Sequence, residues 1–297
     1  MSLKKQKNKL TALVLSAVLF ASVLAPISMA ENDANIIKIS TAEEFVDFAK
    51  KCKTDTWSHG KTVELTADID FSKTVFSPVP TFGGTFKGSG HKITGVNITS
   101  KGSYQGIFRY VQAGGRVDNL RVEGKITPDG SRKYIGGIVG ENSGEITGCT
   151  FTGDVSGSAS VGGICGYITK TGVVSGCDFN GTVSGESYTG GICGQNYGTI
   201  NQTENHGSVN TKNIESDKSL QDINVNMDID TLENTDKTEL IDTNTDTGGI
   251  CGYTKGTISG CKNYGNVGYK SVGYNTGGIS GRTAGYISEC ENHGEIN

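Results

Sequence analysis

Apolar residues recur along this chain in sets of three, separated by glycine, asparagine and serine. Ile138, Ile146 and Val155 make one set; Ile164, Val174 and Val183 make the next, and Ile192, Ile200 and Val209 a third. After a longer interval come Ile250, Ile258 and Val267, then Ile279, Ile287 and Ile296. The first member of each set lies in Gly-Gly-Ile-x-Gly, at 136–140, 162–166, 190–194, 248–252 and 277–281, and a shortened copy reads Gln105-Gly106-Ile107-Phe108. Successive copies begin 26, 28, 58 and 29 residues apart, and the long step is two periods with an insertion inside it. A period of this size marks stacked repeats. The runs are too short and too rich in glycine for helices. They predict three short strands per coil, over 134–140, 145–151 and 153–157 in the second copy. Equivalent strands of successive coils then run the same way and in register, which describes an all-β parallel β-helix, a solenoid. Strict alternation buries only one of Ile164 and Cys165. Burying both requires a bend at the glycines, and the direction of the Cys165-type side chains stays open.

The N-terminal part follows other patterns. Residues 1–30 carry Lys4, Lys5, Lys7 and Lys9, an apolar run over 10–24 and Ser28-Met29-Ala30, the layout of a secretory signal peptide. The chain is therefore expected to be secreted, extracellular or associated with a cell surface, with no transmembrane segment after cleavage. Residues 31–60 form an entry unit: a strand at 36–39, then Ser40 or Thr41 as the cap of a helix over 42–51 with Glu43 and Glu44 in its first turn. Phe45, Val46, Phe48 and Ala49 give that helix one apolar face, suited to covering the open end of a solenoid. Residues 61–297 are the repeats, interrupted by an acidic insertion at 211–246.

Composition sharpens this picture. Without the signal peptide 23 basic residues face 31 acidic ones, which argues against a nucleic-acid surface. One Trp and four Pro suggest a core of small β-branched rungs rather than large aromatics. Cys165, Cys193 and Cys251 share a repeat position with Val139 and Ser280; Cys149, Cys177, Cys261 and Cys290 share another with Thr203. Such exchange favours buried thiols stacked in ladders. Inter-coil disulfides stay open, because adjacent strands bring equivalent Cα atoms to within about 5 Å. No Cys or His spacing has the form of a zinc site, so no metal and no cofactor are expected. The insertion holds ten acids and three lysines. Asp228 and Asp230 would be its first calcium ligands, but the D-x-D-x-D-G loop is missing, and a solvated excursion is the simpler reading. His91, in Ser89-Gly90-His91, is read as a turn residue with no acid or nucleophile beside it. His206 and His293 are read as corner residues, since Tyr264 fills the same position.

The repeated order Gly-Gly-Ile-Val/Cys-Gly, Gly-x-Ile-x-x-Cys, Asn-x-Gly-x-Val resembles the GLUG-motif repeats of bacterial secreted proteins. The segments at 63–70 and 84–93 resemble the lead-in to such repeats, so the likeness spans about 37–297. The resemblance implies a right-handed parallel β-helix outside a bacterial cell, of a kind found in adhesin-like proteins and in some immunoglobulin A-cleaving zinc metalloproteases. The H-E-x-x-H of a protease is missing from this sequence. The expected function is a non-catalytic module that binds host or bacterial surface glycans or proteins. A carbohydrate-active enzyme on a β-helix, or a structural spacer, are the alternatives. No catalytic residue is assigned. Tyr167, Tyr197 and Tyr253, which follow the glycine motif, are the candidate ligand-binding residues.

Overall fold

The computed structural model describes residues 35–211, 245–268 and 274–297. The expected signal peptide at 1–30 and the interior of the acidic insertion, with Asp228 and Asp230, lie outside the described residues. Ile36–Asn297 forms one compact unit. It is a parallel β-solenoid whose repeat coil has four strands: Lys133–Gly136 (face 1), Val139–Asn142 (face 2), Glu145–Thr147 (face 3) and Thr150–Ser156 (face 4). Each pairs in parallel with its equivalents in the neighbouring coils. The sheets so formed have five, six, nine and nine strands in that order.

The apolar stripes predict three strands per coil, and the structure has four. The run expected at 134–140 is bent at Gly136-Gly137 and shared between faces 1 and 2. The bend has a defined hydrogen-bond pattern. The Ile164 carbonyl accepts from both Ile138 N–H (2.9 Å) and Val139 N–H (3.0 Å), and Ile192, Ile250 and Ile279 accept in the same doubled way. Two consecutive N–H groups then point the same way, so both following side chains can turn inward. Ile164 and Cys165 are accordingly both buried, which answers the open question about the Cys165 column. The other predicted break also moves. It lies at Gly148, whose φ is +61°, and not at Thr152 between the expected runs, so Thr150–Ser156 is one strand.

The bend is possible only with glycine at its second position. A Cβ on Gly163 would collide with the Gly191 carbonyl and the ring of Phe179; on Gly191 it would collide with the Gly249 carbonyl and the Asn205 side chain. The inner column of face 4 therefore packs onto the glycine corner.

The core is not aromatic-poor, contrary to the composition-based expectation. Helix α1, Ala42–Lys51, starts at Thr41, whose Oγ1 accepts from Glu44 N–H at 3.2 Å, while the Glu44 carboxylate accepts from Ser40 N–H at 2.7 Å. These bonds from Ser40 hold the Glu44 carboxyl below its ordinary range. The helix lays Phe45 and Phe48 over the first coil. Phe48 meets Phe82 and Phe86 at centroid distances of 5.9 Å, and both of these meet Phe108 at 5.3 Å. Large rings fill the end under the helix, and the coils beyond hold β-branched rungs together with Phe151 and Phe179 on face 4. The eight cysteines are free, and all but Cys290 are buried. Thr203 Oγ1 donates to Cys261 Sγ at 3.3 Å, so hydroxyl and thiol are interchangeable rungs of one column. Burial pushes the Cys149 and Cys193 thiols well above their ordinary range.

Gly163→Ala is expected to destabilise the chain by about 1–3 kcal/mol through overpacking. Gly114→Ala, where a Cβ meets no atom within 4 Å and only the φ of +83° is unfavourable, should cost about 1 kcal/mol. Denaturant midpoints of the two variants against the parent chain give the comparison; equal midpoints would contradict the corner account.

Candidate functional site

In-register parallel strands stack equivalent side chains into columns that run along the solenoid axis. The outward column of face 2 reads Tyr110, Glu141, Tyr167, Gln195, Tyr253, Arg282. A second column joins it from face 1. There the second residue of each strand takes a left-handed backbone conformation: Tyr134 (φ +62°), Ser160 (+56°), Tyr188 (+52°), Asp246 (+66°) and Asn275 (+57°), with Tyr104 (+57°) one coil earlier. This kink turns the side chain off the face 1 alternation and toward the outer side of face 2. Tyr197 arrives from the other flank, just after the face 2 strand Cys193–Asn196.

The result is a continuous row of seven half-buried tyrosines. Tyr110 meets Tyr104 at 4.9 Å, and Tyr104 stacks on Tyr134 at 4.6 Å and 21°. Tyr134 meets Tyr167 edge-on at 5.6 Å; Tyr167 meets Tyr197 at 5.5 Å; Tyr197 meets Tyr253 at 6.1 Å; Tyr253 meets Tyr188 at 6.0 Å. Edge-on and tilted contacts leave ring faces open that a stack of parallel rings would close. Burial raises the phenols of Tyr104, Tyr110, Tyr167 and Tyr197 above their ordinary range, so they remain hydrogen-bond donors at neutral and mildly alkaline pH. Burial also raises the Glu141 carboxyl.

Cations mark both ends of the row. The Arg109 guanidinium stands 6.0 Å from the Tyr110 ring centroid, beside a groove of about 440 Å³ whose lining includes Lys53, Arg109, Tyr110, Gln112, Glu141 and Ser143. Arg282 lies 4.8 Å from the Tyr253 ring and 5.8 Å from that of Tyr188. Its Nη2 is 2.8 Å from Oδ2 of Asp246, a fully buried carboxylate whose Oδ1 accepts from Asn275 Nδ2 at 2.8 Å. Arg282 is thus held over the rings from below by a buried countercharge.

Tyr167, Tyr197 and Tyr253, the residues singled out from the sequence, are brought together in this row. Sequence reasoning missed Tyr104, Tyr110, Tyr134, Tyr188, Glu141 and Arg282. A signal existed for three of them: Tyr104-Gln105-Gly106, Tyr134-Ile135-Gly136 and Tyr188-Thr189-Gly190 place tyrosine two residues before the corner glycine. One earlier expectation is corrected. His91 does have an acid beside it, since Asp68 Oδ1 is 3.3 Å from its Nδ1. No catalytic set results, because Ser89 Oγ donates to Glu64 at 3.0 Å instead. His206 and His293 sandwich Tyr264, with ring centroids at 4.8 and 4.9 Å.

Residues 131–156, one full coil of four strands, match the family model described as the GLUG motif. The chain is 29% identical to Halomucin of Haloquadratum walsbyi over 133 residues, covering 39% of this chain and about 1% of that protein's length. In structure it is similar to a Bacteroides ovatus protein provisionally assigned as an immunoglobulin A1 protease. The TM-score is 0.56 at 18% identity, over 87% of this chain and 75% of the other, which is a likeness of fold.

Arg282→Met is expected to lower stability by about 2 kcal/mol, less than for a fully buried pair because Arg282 is half exposed. Adding Asp246→Asn should restore most of the loss, since asparagine tolerates the left-handed φ and already fills that position as Asn275. A double-mutant cycle on unfolding midpoints measures the coupling; strictly additive losses would contradict the pairing.

Proposed function

We propose that this GLUG-motif solenoid is an extracellular, non-catalytic binding module that holds an extended glycan along its tyrosine row. The observation that carries the reading is the unbroken sequence of seven tyrosines beside Glu141, Gln195 and Arg282. Sugar rings present an apolar C–H face and a rim of hydroxyls. An aromatic face binds the first, and carboxylate, amide and guanidinium groups bind the second. A straight row on a rigid sheet suits a polymer whose units repeat along it. Surface location is supported by the leader-like composition of residues 1–30; no helix among the described residues is long and apolar enough to cross a membrane.

A carbohydrate-active enzyme on the same scaffold is the second reading, favoured by Glu141 with its raised carboxyl at the rim of the groove. Glycoside hydrolysis asks for two carboxylates roughly 5–9.5 Å apart across the bond that breaks. Asp55 lines the groove together with Glu141, but that groove takes in Tyr110 alone of the seven tyrosines, and Asp246 lies buried beneath Arg282 at the opposite end of the row. The non-catalytic reading is therefore preferred.

The test is retention of the purified chain on a panel of host and bacterial glycans, read together with release of new reducing or unsaturated ends. Tyr167→Ala and Tyr253→Ala should each weaken retention about tenfold or more, while Tyr264→Ala, on face 4, leaves it unchanged. Retention indifferent to the face 2 tyrosines would sink the proposal. Release of sugar ends that is lost in Glu141→Gln would establish the enzymatic reading in its place.

A further inference from the structure

Face 4 carries a second chemistry on its outer side, independent of the tyrosine row. The outward column there reads Thr150, Asp178, Glu204, Lys262, Glu291. Where a lysine and an acid are adjacent, they pair: Lys262 Nζ is 3.9 Å from Glu291 and Lys125 Nζ is 3.3 Å from Asp154. Asp178 and Glu204 break this rule. They are direct partners on neighbouring parallel strands and carry the same charge, an arrangement that costs stability unless a cation joins them. Lys262, the one basic neighbour in the column, turns to Glu291. His206 completes the group. Its Nε2 is 3.1 Å from Glu204 Oε2, and its ring is held flat against Tyr264 at 7°. One ligand atom from each of Asp178, Glu204 and His206 lies within 4.8 Å of the other two.

We propose that Asp178, Glu204 and His206 bind a divalent first-row transition ion, for which Zn²⁺ is the probe. One imidazole nitrogen with two carboxylate oxygens suits such an ion better than calcium, which prefers six to eight oxygens. Ligand atoms around zinc stand roughly 3–3.5 Å apart, given bonds of about 2.0–2.2 Å. The Glu204 and His206 pair already has that spacing at 3.1 Å, and binding requires Asp178 to close from within 4.8 Å to the same range. Three protein ligands leave a fourth position to water.

The solenoid contains its own comparison. Glu291 and His293 repeat the Glu204 and His206 pair, with Nε2 to Oε2 at 2.9 Å. In the coil before them Lys262 occupies the place that Asp178 holds before Glu204. The second corner therefore offers two ligands and a positive charge, and one ion per chain is expected at these two corners together. Cysteine and histidine spacing could not reveal the site, because Asp178 comes from the coil below. The twice-used Glu-Asn-His-Gly at 204–207 and 291–294 was its only trace in sequence.

The experiment is calorimetric titration of metal-stripped chain with Zn²⁺, in a Cys290→Ser background that removes the one half-exposed thiol among the described residues. Asp178→Asn and His206→Gln should each weaken the site about tenfold or more, while His293→Gln leaves it unchanged. Lys262→Asp should raise the stoichiometry by one, by giving Glu291 and His293 their third ligand. Zinc binding that is the same in the parent, Asp178→Asn and His206→Gln overturns the proposal. So does equal weakening by His293→Gln, or an unchanged stoichiometry in Lys262→Asp.

Discussion

In four coils one carbonyl, that of Ile164, Ile192, Ile250 or Ile279 in Gly-Gly-Ile, receives two consecutive N–H groups from the coil before it. This doubled bond is the constraint on which the rest of the solenoid depends. It folds one extended run into faces 1 and 2 and puts two neighbouring side chains into the core. It also presses the second glycine of the motif against the inner column of face 4, where nothing larger fits. The repeated motif is thus the chemical form of one corner, copied because each corner rests on the next. Glycine costs chain entropy at every copy. The cost is met by burying Ile164 and Cys165 together, where a plain strand would bury one of them.

Stacking in register turns every residue choice into a column. Inside, this makes Val139, Cys165, Cys193, Cys251 and Ser280 equivalent, and in those coils it asks only for a small side chain, while Phe108 heads the same column beneath the aromatic plug. Outside, it turns a tyrosine at one position of the repeat into a row along the axis. The left-handed kink in face 1 adds Tyr104, Tyr134 and Tyr188 to that row from the neighbouring face. A positive φ is unfavourable for tyrosine. Its recurrence at the same position in successive coils, with aspartate, asparagine and serine in the others, shows that the corner imposes the conformation whatever the residue. The proposed binding row is built from the side-chain direction that results.

The apolar stripes and the glycine period were enough to read the class of fold, the direction of pairing, the helix over 42–51 and its cap. Those features depend on patterns local in sequence. The fourth face was hidden, because Gly136-Gly137 looks like a flexible joint within a run until its hydrogen bonds to the next coil are known. The aromatic plug was hidden too: Phe45, Phe48, Phe82, Phe86 and Phe108 are scattered over sixty residues, and only packing beneath the helix gathers them. At the candidate sites, Tyr167, Tyr197 and Tyr253 could be found because they follow a visible motif. Glu141, Arg282 and Asp178 could not, since each acquires its partners from a different coil, at a distance set by the lengths of intervening corners.

The inner column of face 4 shows how far the corner governs what lies around it. In the central coils it holds Phe151 and Phe179, parallel to 7° and 6.3 Å apart. In the C-terminal coils the same column holds Asn205, Asn263 and Asn292. Buried amides are unfavourable unless every polar atom is matched, and here they are matched. Asn205 donates to Asn263 and Asn263 to Asn292, each at 2.7 Å. Asn205 Oδ1 accepts from Gly207 N–H, and its Nδ2 also donates to the Gly207 carbonyl. The amide fills the space beside Gly191 that the Phe179 ring fills beside Gly163, and it closes a tighter turn while doing so. Face 4 is divided there into Glu204–Asn205 and Ser208–Val209. An apolar ring tolerates a shifted neighbour; an amide that must donate to the amide above it does not. The change from phenylalanine to asparagine therefore exchanges dispersion for register. It does so in the coils that align Arg282 with Tyr253, and Asp178 with Glu204 and His206.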